Sequence, residues 1–144
     1  MKAIRRDAAD ATKTSVRKLM VRPAVCAHPG QLLVDAGALM RAKRVSALAV
    51  LDDETIVGII TELDFLRAIA DRRDPAASHV SQYMTKAPLA IEADAPADKA
   101  AAVMVKHRLR HLPVTDGRRL IGFLSACDLL ALKPWPRSIP FGDN

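Results

Sequence analysis

The fold of this chain is decided by a seven-residue stretch that occurs twice, as GIITELD at residues 58–64 and as GFLSACD at residues 122–128. Each copy contains a glycine, two apolar residues, a hydroxyl residue, two variable residues and an aspartate. The same offset of 64 residues aligns the flanking sequence without a gap. Identical pairs at this offset include Val16/Val80, Met20/Met84, Ala36/Ala100, Met40/Met104, Arg44/Arg108, Leu48/Leu112, Val50/Val114 and Asp52/Asp116. Because two copies are too few for a solenoid, the duplication predicts two half-domains packed face to face, with any ligand site in the cleft between them.

The composition is that of a folded protein with one basic end. At 144 residues, half of them apolar, the chain can form one compact domain or two small halves that share a core. Residues 1–22 carry seven Lys or Arg against two acids, whereas the other 122 residues carry fifteen basic and fourteen acidic side chains. The basic charge therefore belongs to an N-terminal arm, which acts either as a solubilising leader or as a contact for an acidic partner.

The cysteines and the apolar runs bear on the compartment. Cys26 and Cys127 are not equivalent in the two copies and neither belongs to a CxxC pair, so we expect two buried, reduced thiols. No apolar run reaches the roughly twenty residues that span a bilayer, and the N-terminus lacks the apolar core of a signal peptide. These features predict a cytoplasmic protein that has no membrane partner. No metal site is predicted, because zinc-ligand spacing is absent from the four histidines, His28, His79, His107 and His111.

Domain boundaries follow from the duplication and from local composition. We expect a basic N-terminal arm at 1–14, a first repeat at 15–72, a polar linker at 73–78, a second repeat at 79–132 and a proline-rich C-terminal tail at 133–144. Three prolines in the tail predict an extended segment, in which Trp135 either packs on the body or is left for a partner.

Each repeat reads as strand, helix, strand, strand, helix. In the first copy, strands are predicted over 24–27, 45–51 and 56–60, and helices over 32–43 and 62–72. The second of these helices should bury Phe65, Leu66 and Ile69. In the second copy, Asp94 is the predicted N-cap of the first helix, and the later strands and helix are predicted over 112–115, 120–124 and 126–132.

The two junctions place a hydroxyl and a carboxylate at the start of a helix. Thr61 and Ser125 each precede a helix as N-cap candidates, beside free backbone N–H groups where a phosphate can bind. Asp64 and Asp128 follow one turn later, where a carboxylate can accept both hydroxyls of a ribose. The same spacing forms a capping box, so a purely structural role is the alternative for either copy alone. Two copies at a fixed offset, each after a hairpin, favour a ligand site.

At these positions the chain resembles a tandem pair of cystathionine-β-synthase (CBS) domains, the Bateman module. The resemblance covers about residues 16–132 and is carried by both junctions, by Met20 and Met84 at the domain starts, and by His-Leu-Pro-Val at 111–114 with Asp116. It implies an α/β (α+β) fold of two pseudo-twofold-related β-α-β-β-α CBS repeats packed through their sheets. It also implies two clefts, each able to hold an adenine nucleotide or a related adenosyl ligand.

The resemblance also assigns nucleotide-binding residues. Thr61 and Asp64 are expected to serve one cleft, and Ser125 and Asp128 the other, with each hydroxyl on phosphate and each carboxylate on ribose. Three residues of the second copy complete the predicted set. They are Arg110, His111 and Pro113.

The basic positions of the predicted set make the two sites unequal. Arg110 and His111 match the family's basic positions near phosphates; they belong to the second copy and are expected to reach phosphates bound on either side, where charge-assisted bonds would be short and strong. The first copy has Ser46 and Ala47 at the equivalent positions. Equal occupancy of both clefts by a polyphosphate is therefore not expected.

The resulting hypothesis is a stand-alone regulatory module with no catalytic activity and no required cofactor. It would bind AMP, ADP, ATP or S-adenosylmethionine and signal to a protein partner. The alternative from another class is a ligand-free protein–protein interaction module. Nucleic-acid binding through the arm is a weaker third hypothesis, because aromatic residues for base stacking are scarce. We expect a homodimer, because each repeat offers two apolar helical stripes, more than one small body buries.

Overall fold

The computed structural model of the protein describes residues 11–132. Within this range a short 3-10 helix at Val16–Lys18 precedes the α-helices, which are α1 (Leu33–Lys43), α2 (Glu62–Ala70), α3 (Val80–Tyr83), α4 (Ala97–His107) and α5 (Ala126–Leu130). The strands are β1 (Cys26–Ala27), β2 (Ala47–Asp52), β3 (Thr55–Thr61), β4 (Thr85–Lys86), β5 (Ile91–Glu92), β6 (His111–Asp116) and β7 (Arg119–Ser125). The predicted order of strand, helix, strand, strand, helix occurs in both halves.

The strands form two sheets of the same construction. The first has the order β1-β2-β3-β4 and the second β5-β6-β7, each beginning with a parallel pair and continuing antiparallel. Both hairpins have a register irregularity at the same place, after Val50 in β2 and after Val114 in β6. Equivalent sequence thus adopts equivalent backbone, and the predicted mixed α+β fold of two related halves is confirmed.

The segment that opens each repeat packs on the other repeat. Val16 donates its backbone N–H to the carbonyl of Ala95 at 2.9 Å, and the equivalent Val80 donates to the carbonyl of Gln31 at 2.8 Å. Val16 and Met20 are accordingly buried in the core of the second repeat, and Val80 in the core of the first. This exchange makes the two cores interdependent, because each is completed by residues from the other copy.

Gly58 and Gly122 make the exchange sterically feasible. A Cβ atom on Gly122 would lie 2.7 Å from the carbonyl oxygen of Val21 and 2.9 Å from Sδ of Met20. A Cβ atom on Gly58 would lie 2.6 Å from Sδ of Met84. These separations are shorter than van der Waals contact, so any larger residue would push the opening segment away. The duplicated glycines, Gly58 and Gly122, therefore leave room for the duplicated methionines, Met84 and Met20, of the opening segments.

The two cores are aliphatic. Leu33, Leu48 and Ile60 are fully buried in the first, and Leu112 and Leu124 in the second. Each such side chain contributes about 1.5–3 kcal/mol when it is removed from water. Few aromatic residues are needed, because each half is small and receives extra apolar side chains from the opening segment of the other.

Helix α4 begins later than predicted and without a side-chain cap. Its N-cap is Pro96 rather than Asp94, and the N–H of Ala97 donates to the carbonyl of Thr14 at 2.8 Å. Asp94 instead accepts from Nε of Arg17 at 3.1 Å. The prediction was wrong because the acceptor comes from the opening segment of the other repeat. Thr14, which the sequence assigns to the arm, is thereby bonded to the packed body.

Helix α2 buries a different face from the predicted one. Asp64 and Ala68 are buried and Phe65 is half-buried, whereas Leu66 and Ile69 are 60% and 66% exposed. The prediction that Leu66 and Ile69 are buried was therefore wrong for a single copy of the chain. Apolar periodicity identifies a face that avoids water, but it does not say whether the same chain covers that face.

Smaller differences concern helix ends and thiols. The helices predicted over 62–72 and 126–132 end at Ala70 and Leu130. Cys127 was predicted to be buried but is exposed, because it lies on the outer side of α5. Cys26 is half-buried, and this burial raises the pKa of its thiol. Among residues 11–132, no helix has the length and apolar character needed to cross a membrane. The predicted tail at 133–144 lies outside the described residues.

Candidate functional site

Two clefts lie between the halves, and each is lined by residues of both repeats. Cleft I has a volume of about 220 Å³ and cleft II of about 460 Å³. Cleft I is lined by Val21, Pro23, Ala24, Val25, Arg44, Val45, Ser46, Ala47, His111, Phe123, Ser125 and Asp128. Cleft II is lined by Ile59, Thr61, Leu63, Asp64, Arg67, Thr85, Ala87, Pro88, Leu89, His107, Arg108, Leu109, Arg110 and His111. The Ser125 junction thus lies in cleft I and the Thr61 junction in cleft II.

In cleft I, Asp128 uses one of its two carboxylate oxygens. Oδ2 accepts the backbone N–H of Ser125 at 2.7 Å and the Ser125 hydroxyl at 2.9 Å, and the Asp128 N–H donates back to that hydroxyl at 3.2 Å. This is a complete capping box for α5. Within residues 11–132 the other oxygen, Oδ1, accepts no hydrogen bond. Asp128 therefore caps the helix and still presents a free acceptor to cleft I.

In cleft II, both carboxylate oxygens of Asp64 are engaged. Oδ2 accepts the backbone N–H of Thr61 at 2.8 Å, as in the other junction. Oδ1 accepts from Nη1 of Arg67 at 3.1 Å, in an ion pair one helical turn along α2. Asp64 is only 5% exposed. The equivalent of Arg67 in the second copy is Ala131, so the second junction has no such ion pair. The bond from hydroxyl to carboxylate is also longer in the first junction, 3.4 Å from Thr61 against 2.9 Å from Ser125.

His111 lines both clefts, and of the two sets of lining residues it is the one member in common. Its Nε2 lies 2.6 Å from the hydroxyl of Ser46, in a hydrogen bond that joins the two repeats. Burial lowers the pKa of His111, the charge of Arg110 lowers it further, and Glu62 and Asp128 oppose the shift. The imidazole is therefore neutral at pH 7 and accepts or donates a single hydrogen bond at Nε2.

Arg110 lines cleft II beside Thr61, so this residue of the second copy serves the cleft that holds the first junction. Its backbone belongs to the other junction, since the Arg110 carbonyl accepts the N–H of Ala126 at 2.8 Å. Arg110, the residue just before strand β6, therefore serves one junction with its backbone and the other cleft with its side chain. Pro113, also predicted as a binding residue, is fully buried and lines neither cleft.

Two arginines at helix ends were missed by the sequence reasoning. Arg44 and Arg108 follow α1 and α4 as C-caps in the left-handed conformation, with φ of 55° and 54°. Glycine is the usual residue there, and another residue costs roughly 1–2 kcal/mol. Arg44 lines cleft I and Arg108 lines cleft II. The sequence contained a signal for them, because both copies have an arginine at the helix C-terminal position where glycine is expected.

The two clefts offer hydrogen bonds and positive charge. Hydroxyl and carboxylate groups suit sugar hydroxyls, and guanidinium groups suit phosphate or carboxylate ligands. In the described part of the chain, no group of three or more His, Cys, Asp or Glu side chains is placed to hold a metal ion.

Comparison with known proteins gives a consistent picture. The chain is 37% identical over 98 residues to the Bacillus subtilis (strain 168) protein YlbB, a match that covers 66% of each chain. Its fold is similar to that of a protein with CBS domains from Burkholderia ambifaria MC40-6, with a TM-score of 0.79, 33% identity and coverage of 87% and 100% of the two chains. It is also similar to the CBS domain pair of protein MJ0100, solved in complex with 5′-methylthioadenosine and S-adenosyl-L-methionine. There the TM-score is 0.76, the identity 26% and the coverage 81% and 93%.

The matched region is a fraction of several relatives. It spans 66% of YlbB and 21% of the Arabidopsis thaliana protein CBSCBSPB2, to which the chain is 34% identical over 112 residues. The CBS domain family itself matches residues 16–71 and 80–133, the two halves of the duplication. The predicted resemblance to a tandem CBS pair is therefore confirmed, and the chain belongs to the CBS domain family.

Proposed function

We propose that this protein is a regulatory module that binds an adenosyl ligand, such as AMP, ADP, ATP or S-adenosylmethionine, and signals to a partner. The observation that carries the proposal is the paired hydroxyl–carboxylate junction, present once in each cleft at the start of a helix. The adenosyl ligands of the structurally similar MJ0100 domain pair support this ligand class. Each junction lies against residues of the other repeat, so a ligand bound there contacts both halves.

The cleft residues divide into two roles under this proposal. Asp64 and Asp128 bind ribose, and Thr61 and Ser125 stabilise the adjacent helix end while contacting the ligand. Positive charge for phosphate comes from Arg110, as the sequence suggested, and additionally from Arg108, whereas the neutral His111 offers a hydrogen bond and no charge. Pro113 takes no part in this assignment, since a fully buried residue outside both clefts has no surface to offer a ligand.

Signalling requires a surface that another chain can recognise. Leu63, Leu66 and Ile69 recur every three residues along α2 and are 56%, 60% and 66% exposed. We define these three residues as the α2 stripe. We infer that a second copy covers the stripe in a homodimer, because isolated apolar patches of this kind usually mark an interface. Catalysis is not part of the proposal, and the two cysteines, unpaired with each other, suit the cytoplasm.

A thermal-shift screen with adenosine, AMP, ADP, ATP and S-adenosylmethionine tests the proposal. A ligand at one hundred times its dissociation constant adds about 2.7 kcal/mol to the free energy of unfolding, which raises Tm by several degrees. The double variant Asp64→Asn/Asp128→Asn should lose most of this shift. Asp35→Asn, an exposed change in the first turn of α1 and outside both clefts, is the matched control and should keep it.

The second candidate function is a protein–protein interaction module whose clefts hold no ligand. The exposed α2 stripe favours it, because an interaction module needs such a face whether or not the clefts are used. If no adenosyl compound shifts Tm of the wild-type protein, the nucleotide proposal is wrong and this second candidate replaces it.

A further inference from the structure

The two clefts differ most in their positive charge. Cleft I contains one arginine, Arg44, together with Asp128, so the formal charges of its lining cancel. Cleft II contains Arg67, Arg108 and Arg110 with one acid, Asp64. Arg67 is paired with Asp64, and among residues 11–132 no acidic side chain forms an ion pair with Arg108 or Arg110. Cleft II therefore has two uncompensated guanidinium groups, and cleft I has none in excess.

The acceptors differ in the opposite sense. In cleft I, Asp128 is a lining residue of a small cavity with mainly apolar neighbours, and its Oδ1 accepts no hydrogen bond from the described residues. In cleft II, Oδ1 of Asp64 already holds Nη1 of Arg67 at 3.1 Å. A ribose hydroxyl can donate to Asp128 without displacing anything. The same bond to Asp64 requires the Arg67 ion pair to break or to share its acceptor.

Size follows the same division. The volume of cleft I, about 220 Å³, is half that of cleft II, about 460 Å³. Small-molecule sites usually occupy about 300–1,000 Å³, so cleft I suits a small ligand and cleft II a larger one.

We propose that the two clefts take different chemical classes of ligand: cleft I an uncharged nucleoside held at its ribose by Asp128, and cleft II a phosphorylated nucleotide held by Arg108 and Arg110. This inference rests on the proposed function, since both ligands are adenosyl compounds. It divides that function between two sites. The protein then responds to two signals, one of which is charged and one of which is not.

Isothermal titration with adenosine and ATP as the two probes tests the division. Asp128→Asn should weaken adenosine binding about tenfold or more and leave ATP binding within about twofold, because one charged acceptor is lost in cleft I. Arg110→Gln should weaken ATP about tenfold and leave adenosine unchanged. Arg118→Gln, an equal charge change in the exposed turn between β6 and β7, is the matched control and should alter neither.

A competition experiment on the wild-type chain needs no variant and so does not depend on the folding of Asp128→Asn. Protein saturated with adenosine should bind ATP with nearly unchanged affinity, and rising salt should weaken ATP but not adenosine, since only the former is held by charge. If adenosine displaces ATP, or if Asp128→Asn and Arg110→Gln weaken both probes equally, the clefts are not divided and this inference is wrong while the adenosyl function stands. If neither probe binds and no other adenosyl compound shifts Tm, the proposed function itself is wrong.

Discussion

The exchange of opening segments between the repeats makes a sharp prediction about two glycines. Gly122→Ala should destabilise the protein more than the equivalent Gly58→Ala. At Gly122 the nearest obstacle to a new Cβ is backbone, the Val21 carbonyl oxygen at 2.7 Å. That oxygen also accepts the N–H of Phe123 at 2.9 Å, so it cannot move without weakening a hydrogen bond. At Gly58 the nearest obstacle is the flexible end of Met84, at 2.6 Å, and the nearest backbone atom, the Thr85 carbonyl oxygen, is farther away at 3.0 Å.

The expected magnitudes follow from these contacts. Overpacking costs about 1–3 kcal/mol, and disturbing one backbone hydrogen bond adds about 1 kcal/mol. Alanine recovers about 0.4–1 kcal/mol by restricting the unfolded chain. We therefore expect a loss of about 2 kcal/mol for Gly122→Ala. Gly58→Ala should lose about 1 kcal/mol or less, because a methionine side chain adapts to a new neighbour more cheaply than backbone does.

Urea denaturation followed by circular dichroism, at one fixed protein concentration, measures these differences. Gly30→Ala is the matched control, because a Cβ there meets only the His28 ring at an ordinary 3.4 Å. It should change the free energy of unfolding by less than about 0.5 kcal/mol. A further variant, Met20→Ala in the Gly122→Ala background, should not restore stability, since the backbone clash remains. If Gly122→Ala is as stable as the wild-type protein, or if Met20→Ala restores its stability, the opening segment does not pack on Gly122 as described.

Three further predictions concern pH, assembly and the helix ends. Burial lowers the pKa of His111 in the folded state, so the unfolded state binds more protons below about pH 6.5 and acidification should reduce the free energy of unfolding. His111→Gln should flatten this part of the profile of stability against pH. Light scattering should give a mass near twice 15.6 kDa for the wild-type protein, and Leu66→Lys should give a monomer with an unchanged circular dichroism spectrum, whereas a wild-type monomer would contradict the dimer. Arg108→Gly should relieve left-handed strain and raise Tm while weakening ATP binding in cleft II, and a loss of stability instead would show that the arginine has a packing role.

Much of the fold was predictable because the two copies share identical residues at equivalent positions. The hairpins around Asp52 and Asp116, the helices that follow Thr61 and Ser125, and the mixed sheets all follow from local pattern and turn chemistry. Equivalent sequence imposes equivalent backbone preferences, so each half could be read with the help of the other. The capping boxes were predictable for the same reason, since a cap involves residues three apart.

The sequence alone did not determine how segments that lie far apart in the chain pack against one another. The seating of Met20 on Gly122, the capping of α4 by Thr14 and the placement of Arg110 in cleft II depend on how the repeats meet. The exposure of Leu66 was mispredicted for the same reason, because apolar periodicity shows which helix face avoids water but not which segment covers that face. Local chemistry determined which residues begin helices and turn strands, whereas tertiary packing decided which cleft each side chain serves and which acceptor stays free for a ligand.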